Sequence, residues 1–188
     1  PGTNPGFLYQ QNTLRDALVA GIHFNLFNNH CDRVQMANIA QLINVLQSVI
    51  HTEGEKIMLT PTYHVFDMYK VHHDADLLSM DFESPEYSFN GESIPQLSVS
   101  SSMYNEGKIH VSICNLNPTD AAGIDMEIRG AEVSSCSGRI ISSNRMNAKN
   151  TFETPDNVKI EPFEKICLLK NRITGEIPSK SVVTLEVI

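Results

Sequence analysis

Asn38 and Gln41 close the run RVQMANIAQ, residues 33–41. An amide carries a donor and an acceptor on one short side chain, which is what a sugar hydroxyl needs from a protein. Val34, Met36 and Ile39 ahead of them are spaced as in a short buried strand. In a barrel of parallel strands, side chains at the C-terminal strand ends face the ligand, so amides placed there would grip a sugar. An amide that only caps the end of a strand satisfies the same pattern, and spacing alone leaves both roles open.

Other reactive side chains are grouped less convincingly. VHHDAD, residues 71–76, holds His72, His73, Asp74 and Asp76. A metal draws its ligands from converging elements or from i,i+4 positions of a helix, whereas neighbouring side chains diverge; a solvated junction is expected. Glycoside hydrolysis needs two carboxylates facing each other, about 5–5.5 Å apart for retention or about 6.5–9.5 Å for inversion. Glu53 and Glu55 share a turn and Glu83 and Glu86 share a loop, with nothing to set either pair at a pocket floor. Cys31 beside His30 has no third partner, and no GxSxG elbow occurs. No catalytic residue and no metal ligand is therefore assigned. NAKNTFETPDNV, 147–158, reads as a structural loop between strands.

The elements that must position these groups follow from periodicity. Leu14, Leu18, Ile22 and Leu26 fall four apart, with Val19 and Phe27 widening the stripe, which predicts a helix over 12–28. Asn12 or Thr13 serves as its N-cap, and Asp16 lies in the first turn, where the helix dipole favours a carboxylate. Residues 33–39 read as a strand buried on both faces, with a helical continuation through MANIAQLIN as the rival. HTEGEK is a polar turn around Gly54. Thr60 as N-cap and Pro61 at the first helical position open a second helix over 60–70.

From residue 76 the composition changes to short β-rich runs with Gly, Pro, Asn and Ser between them. LSVSSSMY (97–104) and KIHVSICNL (108–116), joined by NEG, predict a hairpin. IDMEIRG, SGRIISS, EKICLLK and SVVTLEVI add strands, and this number at this spacing indicates an antiparallel sandwich or jelly roll. In KIHVSICNL, Ile109, Val111 and Ile113 alternate with His110, Ser112 and Cys114, the pattern of a half-solvated sheet. The expected fold class is thus α+β. Residues 1–75 form an α/β piece with two helices and one strand, too few strands to close a sheet. Residues 76–188 form the sandwich. PGTNPGF at the start is loop chemistry, and with the strand deficit it reads as a fragment of a longer chain.

Composition narrows the partners. The formal net charge is −8, from 14 basic and 22 acidic residues, which argues against nucleic acid. No run approaches the roughly 18 apolar residues of a membrane span. Four cysteines without a CxxC pair read as buried free thiols rather than a disulfide framework.

NPGFLYQQNTLRDALVAGIHFNLFNNHCDRVQMANIAQLINVLQ, followed by EKIMLTPTYHVFDMYK, resembles the last part of the catalytic (β/α)8 barrel of family 51 α-L-arabinofuranosidases. SGRIISSNRMNAKNTFETPDNV and SKSVVTLEVI resemble the C-terminal β-domain of that family. The resemblance runs essentially end to end. It implies a parent enzyme that removes terminal α-L-arabinofuranosyl groups from arabinan, arabinoxylan or their oligosaccharides with retention, using one glutamate as nucleophile and another as acid/base, and no cofactor. Both glutamates would lie upstream of Pro1. Gln41 matches the family's glutamine that hydrogen-bonds the arabinose, with Asn38 a supporting neighbour. Residues 33–39 would be the eighth barrel strand, with 12–28 and 60–70 as the seventh and eighth helices. The resemblance also implies a missing N-terminal part of the same enzyme as a partner, and a homo-oligomer. It leaves the compartment undetermined. A non-catalytic carbohydrate-binding module or a structural, oligomer-forming sandwich is the alternative; the lack of Trp weighs against the former.

Overall fold

Thr13 and Asp16 start the first helix. The Asp16 carboxylate accepts the backbone N–H of Thr13 and its hydroxyl, both at 2.7 Å, so one side chain ties down the entry of the chain. In this computed structural model, which describes residues 11–104 and 107–188, α1 runs Leu14–Asn29. A hairpin follows, β1 (Ile50–Glu53) with β2 (Lys56–Leu59), turning at Gly54 with φ +58°. Next comes α2 (Pro61–Tyr69), capped by Thr60, whose hydroxyl accepts from the Tyr63 N–H at 3.3 Å. A 3-10 turn, Lys70–His72, leads out of it. No helix among the described residues is long and apolar enough to cross a membrane.

The remainder is antiparallel β-structure: β3 (Asp76–Leu77), β4 (Glu86–Phe89), β5 (Glu92–Pro95), β6 (Leu97–Tyr104), β7 (Lys108–Asn115), β8 (Ala122–Glu127), β9 (Cys136–Ser142), β10 (Glu161–Pro162), β11 (Ile166–Leu169), β12 (Arg172–Ile177) and β13 (Ser181–Val187). A six-stranded sheet, β10-β9-β13-β7-β6-β3, faces a three-stranded one, β11-β12-β8. Leu97, Val99, Val111, Ile113, Val183 and Leu185 on the large sheet pack against Ala122, Ile173 and Ile177 on the small one. Each strand contributes every second residue, as a sandwich requires.

The other face of the large sheet is not solvated, contrary to the expected alternation. Ser100, Ser112 and Cys114 are fully buried there and His110 is 5% exposed, because α1 and α2 lie across them. Leu14, Ala17, Leu18, Val65, Met68 and Tyr69 pack onto Cys114, Ile141 and Val182. The architecture is therefore three-layered: helices, six-stranded sheet, three-stranded sheet. The buried stripe of α1 runs through Leu14, Ala17, Leu18, Gly21 and Asn25, so it turns away from the expected Leu26, which is 50% exposed. Gly21 and Asn25 of this stripe lie directly against strand residues, Gly21 by Cys114 and Val182 and Asn25 by Ser98 and Ser100.

A Cβ built on Gly21 would lie 2.7 Å from Cys114 Sγ and 3.3 Å from a Val182 methyl. Alanine gains about 1 kcal/mol in helix propensity but overpacks this contact at a cost of about 1–3 kcal/mol. Gly21→Ala is therefore expected to destabilise by about 1 kcal/mol, lowering Tm by roughly 2–4 °C in a thermal melt. A raised Tm would show that the helix can move off the sheet without loss.

Residues 33–39 form neither the expected strand nor the rival helix. A barrel strand takes its hydrogen bonds from parallel neighbours on both sides, and among the described residues none lies beside it. Met36 is 78% exposed, and the chain next pairs at an isolated parallel bridge between Ile43 and Ile50. The free thiols also divide: Cys114 is buried, Cys136 half-buried, and Cys31 and Cys167 exposed.

Candidate functional site

Asn38 and Gln41 do not share one cavity. Asn38 lines an open groove of about 280 Å³ between Val19, His23 and Phe27 of α1 and Thr62 and Phe66 of α2. Gln41 follows a cis peptide bond after Ala40, is exposed, and stands outside that groove. Among the described residues neither amide side chain meets a hydrogen-bond partner, so neither acts as a cap in this fold.

The loop that carries Gln41 is anchored on its far side. Ile50 N–H donates to the Leu42 carbonyl and Asn44 N–H to the Ile50 carbonyl, both at 3.1 Å. The Asn44 side chain donates to Thr52 Oγ1 at 2.8 Å and accepts the Thr52 N–H at 2.7 Å. Asn44 has φ +60°, a conformation that asparagine tolerates better than most residues. Thr60 then ties the hairpin to α2: its hydroxyl lies 3.2 Å from the Ser48 and Val49 carbonyls. Asn44 was missed from the sequence; an Asn six residues ahead of a strand gives no periodic signal.

The other groups are dispersed. Glu53 and Glu55 are exposed at the hairpin turn, and Glu83 is exposed in its loop. Glu86 accepts from Ser93 Oγ at 2.7 Å across the β4–β5 hairpin. Asp16 is the carboxylate that lines the groove, and its cap bonds occupy it. His30 and Cys31 are exposed at the end of α1. In the 147–158 loop, Asn150 is buried, donating to the Leu59 and Val158 carbonyls at 2.9 Å and accepting the Val158 N–H at 2.7 Å, a structural role as expected. The VHHDAD group is a partial correction: His73, Asp74 and Asp76 are exposed, but the His72 ring turns inward, bonded to Ser102 and Ser112.

A buried polar layer between helices and sheet escaped the sequence reading. Tyr69 Oη donates to Asn25 Oδ1 at 2.8 Å and lies 3.2 Å from the Gly21 carbonyl. Asn25 donates to the Ser98 carbonyl at 2.8 Å and accepts from Ser100 at 2.8 Å. Burial pushes the Cys114 thiol up to about 12 and the Tyr69 phenol well above its ordinary value. Both stay protonated at neutral pH, so Tyr69, Asn25, Ser100 and Cys114 form a packing network with no nucleophile in it.

A family model described as the alpha-L-arabinofuranosidase C-terminal domain matches residues 1–181. The chain belongs to that family. An intracellular exo-alpha-L-arabinofuranosidase of Bacteroides ovatus is 41% identical over 187 residues, covering 99% of this chain and 36% of the relative. The crystal structure of the family 51 arabinofuranosidase from Xanthomonas axonopodis pv. citri superposes with a TM-score of 0.96 at 37% identity, over 100% of this chain and 38% of that one. The arabinose complex of the Thermotoga maritima α-L-arabinofuranosidase, at 23% identity and a TM-score of 0.84, shares the fold over 99% of this chain and 41% of its own. The chain thus corresponds to the C-terminal portion of family 51 arabinofuranosidases and spans little more than a third of the length of these relatives. Two helices followed by an antiparallel sandwich is the architecture that the sequence resemblance predicted.

Proposed function

We propose that this chain is the C-terminal part of a retaining α-L-arabinofuranosidase acting on terminal α-L-arabinofuranosyl groups of arabinan- or arabinoxylan-type polysaccharides and oligosaccharides. The observation that carries the reading is the family match across residues 1–181, which includes the amide-bearing segment. Residues 1–75 complete the barrel and 76–188 form the appended sandwich. Beside parallel neighbours, 33–39 becomes the last barrel strand, and α1 and α2 are the last two barrel helices. No cofactor enters. Assembly as a homo-oligomer belongs to the same proposal.

In this reading Gln41 contributes one wall of the sugar pocket. Its amide donates to one arabinose hydroxyl and accepts from another, and Asn38 supports the strand end. The unpartnered state of the Gln41 side chain, on a loop pinned by Asn44 and Thr52, supports a role toward a ligand. Gln41→Ala in the full-length enzyme is expected to lower kcat/KM at least tenfold, about 1.4 kcal/mol of transition-state binding. An unchanged kcat/KM on an aryl α-L-arabinofuranoside would remove Gln41 from the pocket.

A further inference from the structure

His72 ends the turn that leads out of α2, and its ring lies against the helix-covered face of the large sheet. Ser102 Oγ on β6 is 2.7 Å from Nδ1, and Ser112 Oγ on β7 is 2.8 Å from Nε2. Ser112 continues to Thr184 Oγ1 on β13 at 3.2 Å. The Tyr69 ring of α2 lies tilted against the His72 ring at 5.6 Å between ring centres, and His110 of β7 meets it edge-on at 6.5 Å. His110 Nε2 lies 3.3 Å from Glu186 on β13, and its Nδ1 is buried without a partner. Lys70 and His73, beside His72 in the chain, are exposed; Lys70 pairs with Asp67 at 2.6 Å, and Arg139 of β9 reaches the same carboxylate at 3.7 Å. Asp67 and Glu186 are thus bonded to other groups, Asp74 and Asp76 are exposed and form no ion pair with His72, and the hydrogen-bond partners of the His72 ring are hydroxyls alone.

That environment suits a neutral imidazole. One ring nitrogen donates and the other accepts, and serine hydroxyls rotate to serve either role. An imidazolium would bring an unpaired charge into a packed polar layer beside a second histidine. We propose that His72 is an acid-sensitive latch: the neutral ring, clamped between Ser102 and Ser112, holds the end of α2 on the sandwich, and its protonation releases that end. The device goes beyond the proposed activity and does not depend on it.

Burial, followed by the like charges of His110 and His73, lowers the His72 imidazole from 6.5 to about 4. A histidine whose folded-state value is depressed contributes stability that is complete above its unfolded value. It is lost as the pH falls from 6.5 toward 4, rising to a weakening on the order of 100-fold by about pH 4.

The test uses the 188-residue chain in solution. Ring-proton NMR is expected to show His72 still neutral at about pH 5; an ordinary midpoint near 6.5 overturns the latch. Hydrogen exchange on acidification is expected to strip protection first from amides 61–72, before β7 and β13, and simultaneous loss in all of them contradicts local release. Glutamine keeps a donor and an acceptor without titrating. In His72→Gln the excess acid weakening, read from urea unfolding at about pH 7.5 and about pH 4, is expected to disappear. The same pH slope in both proteins sinks the proposal, and the two wild-type measurements decide it should the variant not fold.

Discussion

The purified 188-residue chain is expected to leave an aryl α-L-arabinofuranoside unhydrolysed, at a rate indistinguishable from buffer. Retention requires two carboxyl groups about 5–5.5 Å apart on either side of the scissile bond. The groove at α1 and α2 is lined by one carboxylate, Asp16, and that carboxylate already accepts two hydrogen bonds from Thr13. The small pocket at His110 likewise carries one, Glu186, which faces the histidine. Glu53 and Glu55 project from a solvent-facing turn. Without a facing pair among the described residues there is neither nucleophile nor acid there, and the barrier stays close to that in water. Turnover that co-elutes with the chain through successive columns would place a carboxylate pair in this polypeptide and refute the proposed division of labour.

Asn115→Ala is expected to be the most damaging single substitution in the sandwich. Asn115 is fully buried at the end of β7 and uses its amide completely. Nδ2 donates to the Asp120 carbonyl at 3.1 Å and the Ile177 carbonyl at 3.0 Å; Oδ1 accepts the Asn117 N–H at 3.0 Å and Gln96 Nε2 at 3.3 Å. It thereby ties the large sheet to the end of β12 in the small one and fixes the 117–120 turn. Truncation strands several buried polar groups, each worth about 1–3 kcal/mol, with some relief from entering water. A loss of about 3–5 kcal/mol follows, a large share of the 5–15 kcal/mol typical of a domain. The urea midpoint should fall accordingly with the slope unchanged; a loss under about 1 kcal/mol would mean that the turn and the sheets hold together without the amide.

Where local chemistry decided the structure, the sequence was readable. Thr13 with Asp16, and Thr60 with Pro61, marked two helix starts to within a residue or two, and Gly54 marked its turn. The β-runs appeared at their expected places because alternation and turn residues are local signals. The failures share a tertiary cause. Residues 33–39 carry a strand pattern, but a strand forms by pairing, and its pairing partners are absent from the described chain. Ser100, Ser112 and His110 looked solvent-facing because they are polar; only the arrival of α1 and α2 closes them in, with the two hydroxyls paired within the layer and His110 Nε2 facing Glu186. His72 was misplaced for the same reason. Gln41 was singled out as an amide following a strand pattern that does not pair here, whereas the groove beside Asn38 is set by two helices meeting at an angle no spacing encodes.

The start of α1 is completed from the far end of the sequence. The first two helical N–H groups, Leu14 and Arg15, donate to the carbonyls of Ala148 and Met146 at 2.8 and 3.0 Å, and Asn150 reaches back to Leu59. A chimera joined at 75/76, with residues 76–188 borrowed from a relative, therefore also exchanges the backbone oxygens that terminate its own first helix. The two halves are separable on paper, but they share a seam of main-chain bonds that any grafted partner must reproduce in shape, whatever its side chains.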